Sequence, residues 1–517
     1  MRKNKTFLII FLIGFIVFLL YLIPNSKGIR DEHMLSLLSQ DESIQYSYLT
    51  HMLTPGSTFF ETLKNFVSYQ HYFYGYPFYL YSALVVLPFR LIFGSQFFSM
   101  TRVTLPILRQ LVSVLPMLLS AGLLTYLQTR FKSTWKSVLL FVFLLSIPAV
   151  LANNFWFWHP DAMTLLGVVL TIFFLDRDRK ELGRNFYYAA IACGFTAATK
   201  VIGFFFFLAV FIYLVLVYLH KRSGFGKIIR AALFFTLIML AVFILLNPLL
   251  LFPQTRAQIF KIQLQQNFFV THGWQDEEPY STGLTAWLPY LQQWYAFPVF
   301  ICFLLFSLGT ACVNGGRRLT NWLILGWFIP YSLYLIFFVA TKPTHYWLPT
   351  FLPLASTALV LVPNELFDPI EKKKSGKKTF SRVFLLALLA LGLIGFQTAM
   401  YLKTDSSLTT RFMEKERLLL ACNSSPDNST LGLTVDLDAS RWYRLETYDN
   451  RGTPALRKFT VTRGTSSIAA FTDYGQNAWA CSNQTEALFS AQRLAFLFKT
   501  SHPKVQVSGP DGKEISP

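Results

Sequence analysis

The chain has 517 residues, 53% hydrophobic, 17% aromatic and only 14% charged, with a net formal charge of +19. A soluble domain carries roughly a quarter charged residues, so an ordinary soluble enzyme is excluded, and the long apolar runs exclude a disordered chain. Five cysteines exclude a disulfide-built scaffold, and in a polytopic membrane protein basic loops that fix orientation explain the positive charge without a nucleic-acid partner.

A membrane span needs roughly 20 mainly apolar residues. The first run, Thr6 to Ile23, follows Met-Arg-Lys-Asn-Lys and reads as a retained anchor. Residues 76–94 are apolar except for Arg90. If they crossed, loops holding 19 later basic residues would leave the cytoplasm, so the positive-inside rule favours a re-entrant or surface-lying helix. Uncharged runs follow at 110–129, 137–158, 231–252, 319–341, 343–364 and 383–402, with another near 296–313. Residues 186–219 hold one charge, Lys200, between two basic flanks, and are expected to cross twice and turn outside near that lysine.

The expected fold class is an α-helical polytopic membrane protein of about 11 spans, with the N-terminus in the cytoplasm. Two large outer loops follow, at 24–108 and about 251–294. A membrane domain over 1–402 precedes an extracytoplasmic domain over 403–517, α+β or β-rich. In that tail TLGLTVDLD (430–438) and RLETYD (444–449) read as strands and 485–498 as an amphipathic helix. Cys422 and Cys481 lie there, where a disulfide between them can form.

The chemistry-bearing residues gather on the outer side. Asp41 and Glu42 head LSQDESIQYSYLTHML, and Asp161 follows Pro160 in FWFWHPDAMTLLG. Helix capping explains either acid as well as catalysis does, although an acid at a membrane boundary marks function more often than one on a soluble surface. Lys200 ends GFTAATK; it is either a snorkelling anchor or a cation for an anionic headgroup. TKPTHYWLP adds Lys342, His345 and Tyr346, and HYFYGYPFYLYSAL (71–84) adds His71, Tyr74 and an aromatic surface suited to sugar stacking. His159 precedes the Pro-Asp step, and HGWQDEEP (272–279) concentrates three acids that could equally be a solvated loop. Two acids, a lysine and a His–Tyr pair on one side are what transfer from a lipid phosphate requires: a carboxylate takes a proton from the attacking hydroxyl, and cations stabilise charge on the departing phosphate. No Walker loop, Rossmann glycine pattern or metal-ligand spacing is present.

In this order the motifs resemble the C-type glycosyltransferase superfamily, in particular the branch of the protein O-mannosyltransferases and the lipid A aminoarabinose transferase (family 39-like), over residues 1–402. The first-loop acidic motif of that family falls on Asp41 and Glu42, with Asp31-Glu32 as a competitor; its Tyr-Gly-Pro-like stretch falls on Tyr74, Gly75 and Pro77. The acid that opens its fourth span falls on Asp161, in HPD, and its Thr-Lys on Thr199-Lys200. Many relatives carry Arg-Tyr where this chain has His345-Tyr346, which moves the phosphate role onto Lys200.

The resemblance implies transfer of a sugar from a polyprenyl-phosphate-linked donor to a glycan, lipid or protein acceptor outside the cytoplasm. Asp41 would be the general base helped by Glu42, and Asp161 would orient hydroxyls. His71, Tyr74, His159, Lys200, His345 and Tyr346 would bind donor phosphate or substrate. No cofactor is expected; a divalent cation is possible in this family, since its members differ in metal dependence, but the sequence offers no support for one. The alternative is a transporter or flippase of lipid-linked sugars, although such proteins often show internal repeats and none is found here.

Overall fold

A computed structural model describes residues 2–26, 40–154, 157–273, 281–314, 317–362 and 388–397, isolated positions between these, and four strand segments in the tail. Its contacts divide the chain into two units, Met1–Ser26 with Tyr46–Tyr401, and Lys27–Gln45 with Leu402–Pro517.

The first unit is helical and holds the membrane spans. Among the described residues, six helices are long and apolar enough to cross a bilayer, or up to eight if each of two bent pairs is one span. The other expected crossings are shorter helices, Asp161–Asp178, Arg184–Thr199, Leu348–Ala355 and Leu388–Gln397. The N-terminal run forms one helix, Arg2–Asn25, and the 186–219 region breaks at Lys200 as expected. Arg184–Thr199 stops there, Lys200 is extended at φ −150°, and a short 3₁₀ turn leads into Phe207–Leu219.

Several boundaries differ from the sequence reading. The span expected at 110–129 begins at Thr101, inside the supposed outer loop. Arg109 interrupts the apolar run but is fully buried, and its guanidinium donates to the Asn25 carbonyl at 3.0 Å. A π-helical turn over Arg109–Val114 carries it within the helix. The run at 137–158 bends by 65° between Thr134–Leu145 and Pro148–Asn154. Pro148 lacks an N–H, and the Ser146 hydroxyl donates back to the Phe143 carbonyl. Among the described residues of 343–364, helix runs only over Leu348–Ala355, after which the Ser356 and Thr357 hydroxyls donate to the Pro353 and Leu354 carbonyls and the chain turns. The second outer loop is largely helical, with Pro253–His272 and Leu284–Trp294. Tyr76–Ser99 is a 24-residue apolar helix whose length permits a crossing.

The Asp161–Asp178 helix is the centre of this unit. It packs on Arg184–Thr199, on the Leu115–Thr129 helix and on Leu348–Ala355. A Cβ on Gly167 would lie 2.1 Å from Thr196 Oγ1, so the two helices meet at a distance that only glycine allows.

The second unit contributes four short strands. Gly432–Val435 pairs antiparallel with Val505–Ser508, and Phe459–Arg463 pairs antiparallel with Ser466–Ala470. The first falls within the expected 430–438 strand. The expected strand at 444–449, the helix at 485–498 and the Cys422–Cys481 pair lie outside the described residues.

Candidate functional site

Pro160 caps the central helix with its fixed φ of −70°, which makes Asp161 the first helical residue. There the carboxylate meets the positive end of the macrodipole. Asp161 is fully buried, and both of its oxygens are occupied. Lys200 Nζ donates to Oδ1 at 2.7 Å, and His159 Nδ1 pairs with Oδ2. His345 Nε2 lies 3.8 Å from the same Oδ2. A carboxylate held on both oxygens by cationic or N–H donors is a weak proton acceptor and a strong positioning group.

With a hydrogen on Nδ1 directed at Asp161, His159 presents its lone pair on Nε2, and the Tyr74 hydroxyl lies 2.6 Å from it. A chain of polar contacts therefore runs from Tyr74 through His159 and Asp161 to Lys200, hydrogen bonds at its two ends and an ion-pair contact between His159 and Asp161. The His159 backbone N–H donates to Ser113 Oγ at 3.3 Å, and the Phe157 ring stacks on the imidazole with centroids 4.5 Å apart. The ring of His345 lies 4.7 Å from that of His159, and Lys200 Nζ sits 5.2 Å from the Tyr346 centroid.

Lys200 and Tyr74 are brought together by a close crossing of main chains. The Gly75 N–H donates to the Thr199 carbonyl at 3.1 Å, and a Cβ on Gly75 would lie 1.5 Å from the Ala198 oxygen. Asn247 clamps the crossing: its Oδ1 accepts from the Tyr76 N–H at 3.0 Å and its Nδ2 donates to the Ala198 carbonyl at 3.3 Å. The sequence reading missed Asn247, because no motif surrounds it.

His71 joins the edge of the group. It bonds the Tyr79 hydroxyl, stacks on Tyr48 at 5.0 Å and meets Tyr74 edge-on at 5.3 Å. Burial, and then the nearby His159, push its pKa down to about 4, so it is neutral at pH 7. Burial holds His345 well below the ordinary histidine range as well; Asp161 pulls the other way, while Lys200 and His159 add to the lowering. A neutral His345 supplies hydrogen bonding rather than charge, and the lysine of the cluster is Lys200.

Lys342 is elsewhere. Its ammonium donates to the carbonyls of Ser281 at 2.9 Å and Val339 at 3.2 Å and lies over Trp287 at 4.7 Å. Its loop sequence had grouped it with His345; the structure instead uses it to close carbonyls after the Arg318–Phe338 helix. Asp41 and Glu42 occupy the first turn of Gln40–Met52, Asp41 exposed and Glu42 buried. They belong to the second unit. The acids of the 272–279 motif lie outside the described residues.

His159, Asp161 and His345 place one ligand atom each within 4.8 Å of one another, a donor set of two imidazoles and one carboxylate that could hold a transition-metal ion. The Lys200 ammonium already neutralises that carboxylate, so lysine and metal ion would compete for it.

No family model matches the sequence, and no curated protein matches it. Solved structures do. The oligosaccharyltransferase AglB from Archaeoglobus fulgidus, in complex with an inhibitory peptide and a dolichol-phosphate, aligns over 82% of this chain and 58% of its own, with a TM-score of 0.45 and 13% identity. ArnT from Cupriavidus metallidurans, bound to undecaprenyl phosphate, aligns over 82% of each chain with a TM-score of 0.43 and 14% identity. This chain spans 58% of the AglB length. At this level the likeness carries no argument about substrate or site.

Proposed function

We propose that the chain is a membrane glycosyltransferase that moves a sugar from a polyprenyl-phosphate-linked donor to a glycan, lipid or protein acceptor on the extracytoplasmic side. The observation that carries the reading is the Lys200–Asp161 pair, which holds a single ammonium at the break between two apolar helices, beside a neutral imidazole and an aromatic ring. An ammonium in that setting suits a lipid phosphate, because partial dehydration strengthens the contact and the charge offsets that developing on the departing phosphate.

In this reading Asp41 is the general base that accepts the proton of the attacking hydroxyl, with Glu42 supporting it. Asp161 is a positioning residue, since its oxygens are engaged by Lys200 and His159. Tyr74, His71, His345 and Tyr346 line the substrate side. A second candidate for the base rests on one observation, the Tyr74–His159–Asp161 chain: an imidazole oriented by a buried carboxylate is the arrangement that general-base catalysis uses.

The test is mass spectrometry of membrane glycans and lipid-linked sugars with and without the protein, repeated with Asp41→Asn and His159→Gln. Loss of the base costs roughly 10²–10⁴-fold in rate. The proposal expects that loss in Asp41→Asn. Loss confined to His159→Gln moves the base to the imidazole, and an unchanged glycan and lipid profile without the protein contradicts the reading.

A further inference from the structure

The Asp161–Asp178 helix has a second end. About 22 Å from Asp161, at 1.5 Å per residue, Asp176 and Arg177 line a cavity of about 720 Å³. Eight of its twelve lining residues are Lys or Arg and one is an acid. The cations come from segments far apart in sequence, including Lys3 near the N-terminus, Arg130, Arg179 and Arg317.

The acid does not neutralise the rest. One oxygen of Asp176 pairs with Arg130 and the other accepts from the Thr320 hydroxyl. Asp178, the next acid in sequence, is buried and turned to the backbone N–H groups of Leu182 and Gly183 and to the Tyr213 hydroxyl. Two helix C-termini end here, at Thr129 and Asp178, each equivalent to roughly half a negative charge. These do not balance eight cations. Burial and the charge of Arg130 lower the pKa of Arg317, and Asp176, already paired with Arg130, only partly offsets them.

The backbone is also constrained. Arg130 (φ +49°), Arg179 (φ +53°) and Lys180 (φ +68°) all adopt the left-handed conformation just past a helix end, where glycine is the usual residue. Stacking holds two of the guanidinium groups, Arg130 over Tyr126 at 5.0 Å and Arg177 over Phe173 at 5.5 Å. Cations placed at a conformational cost, in a cavity with one engaged acid, form a built site and not only an orienting charge.

We infer that this cavity binds an anionic group carrying two neighbouring phosphates, at the end of the central helix opposite Asp161. Arginine forks match phosphate oxygens, and their number calls for more than one negative charge. The chemistry has two sources, the headgroup of a diphosphate phospholipid or a soluble diphosphate, and a basic recess between membrane helices favours the first.

The test uses the full-length protein in detergent and two probes. Tetraoleoyl cardiolipin, against phosphatidylcholine, is followed by native mass spectrometry and by the shift in Tm; inorganic pyrophosphate is titrated in parallel with Tm as readout. Retention of cardiolipin without a pyrophosphate effect assigns a lipid; a saturable pyrophosphate effect without cardiolipin retention assigns a soluble ligand. Either supports the site, and binding of neither above the phosphatidylcholine background overturns it. The Arg179→Gln/Arg317→Gln/Arg318→Gln variant should weaken the effective probe by about tenfold or more, while Arg230→Gln, exposed and outside the cavity, should leave affinity unchanged. Equal loss in both would reduce the effect to general surface charge and overturn the site. Arg179→Gly separates binding from folding: it relieves the left-handed backbone, so its Tm without probe should match or exceed the parent value while its affinity falls. Undiminished affinity in a folded Arg179→Gly protein counts against the proposal.

Discussion

Lys200 Nζ lies 2.7 Å from Asp161 Oδ1, although 39 residues separate the two in the chain. The Asp161–Asp178 helix runs away from this point and Arg184–Thr199 returns to it, so the pair closes a helical hairpin at its open end. A buried carboxylate and a lysine with 11% of its side chain exposed stabilise one another chiefly because each would be costly alone.

That pairing fixes the outcome of a double-mutant cycle. Asp161→Asn and Lys200→Met should each destabilise the protein, by about 3 kcal/mol where one partner of a buried pair is left alone. The double variant should lose less than the sum by about 1–3 kcal/mol. Thermal unfolding of the four proteins in one detergent checks this. Additive losses would mean that the two side chains are independent.

The crossing at Gly75 gives a backbone test. A methyl group there would meet the Ala198 carbonyl at 1.5 Å, so Gly75→Ala must separate the 71–77 loop from Lys200 and break the Gly75–Thr199 hydrogen bond. The expected cost is about 3 kcal/mol or more. Gly224→Ala is the control, since a Cβ there meets nothing within 4 Å. Equal Tm values for the two variants would contradict the close approach.

Much of this arrangement is legible in the sequence, and the limits have physical causes. The turn at Lys200 follows from a lone charge in a 34-residue apolar run with basic flanks, and the HPD step marks a helix start by proline and acid alone. The sequence does not show that Lys200, Tyr74 and His159 meet, because that depends on Gly75 and Asn247 packing across helices. Arg109 misled the boundary of its helix: a charge reads as solvent-exposed until its buried carbonyl partner, Asn25, is known. The run at 343–364 looked like one span because serine and threonine are tolerated in apolar helices, whereas here their hydroxyls end the helix.

Acid should act through His71. Its pKa is near 4 in the folded protein and near 6.5 in an unfolded chain, so the unfolded state binds more protons between those values. The resulting contribution to stability is complete above about pH 6.5 and is lost progressively as pH falls towards 4. His71→Phe should therefore show a shallower fall in Tm between pH 7 and pH 5 than the parent protein. Parallel curves would place the titration elsewhere.

Topology is a separate matter, because Tyr76–Ser99 is long enough to cross while the charge pattern opposes it. The charge pattern predicts that cysteines introduced at the exposed positions Lys132 and Arg222 resist a membrane-impermeant maleimide applied from outside but react once the membrane is permeabilised. Strong labelling at both before permeabilisation would mean that the helix crosses, and that the basic loops face outward.

The most direct test of the account is the transfer rate as a function of lipid-linked donor concentration for the parent, Lys200→Arg and Lys200→Met, with release of the polyprenyl phosphate followed in the same samples. The account predicts that Lys200→Met raises the donor KM and lowers kcat with the acceptor KM nearly unchanged, and that Lys200→Arg retains part of the activity through its charge. Parent-like turnover by Lys200→Met at low donor would make the lysine a structural anchor. Movement of intact donor across the bilayer, with no polyprenyl phosphate released by any of the three, would contradict the transferase reading itself.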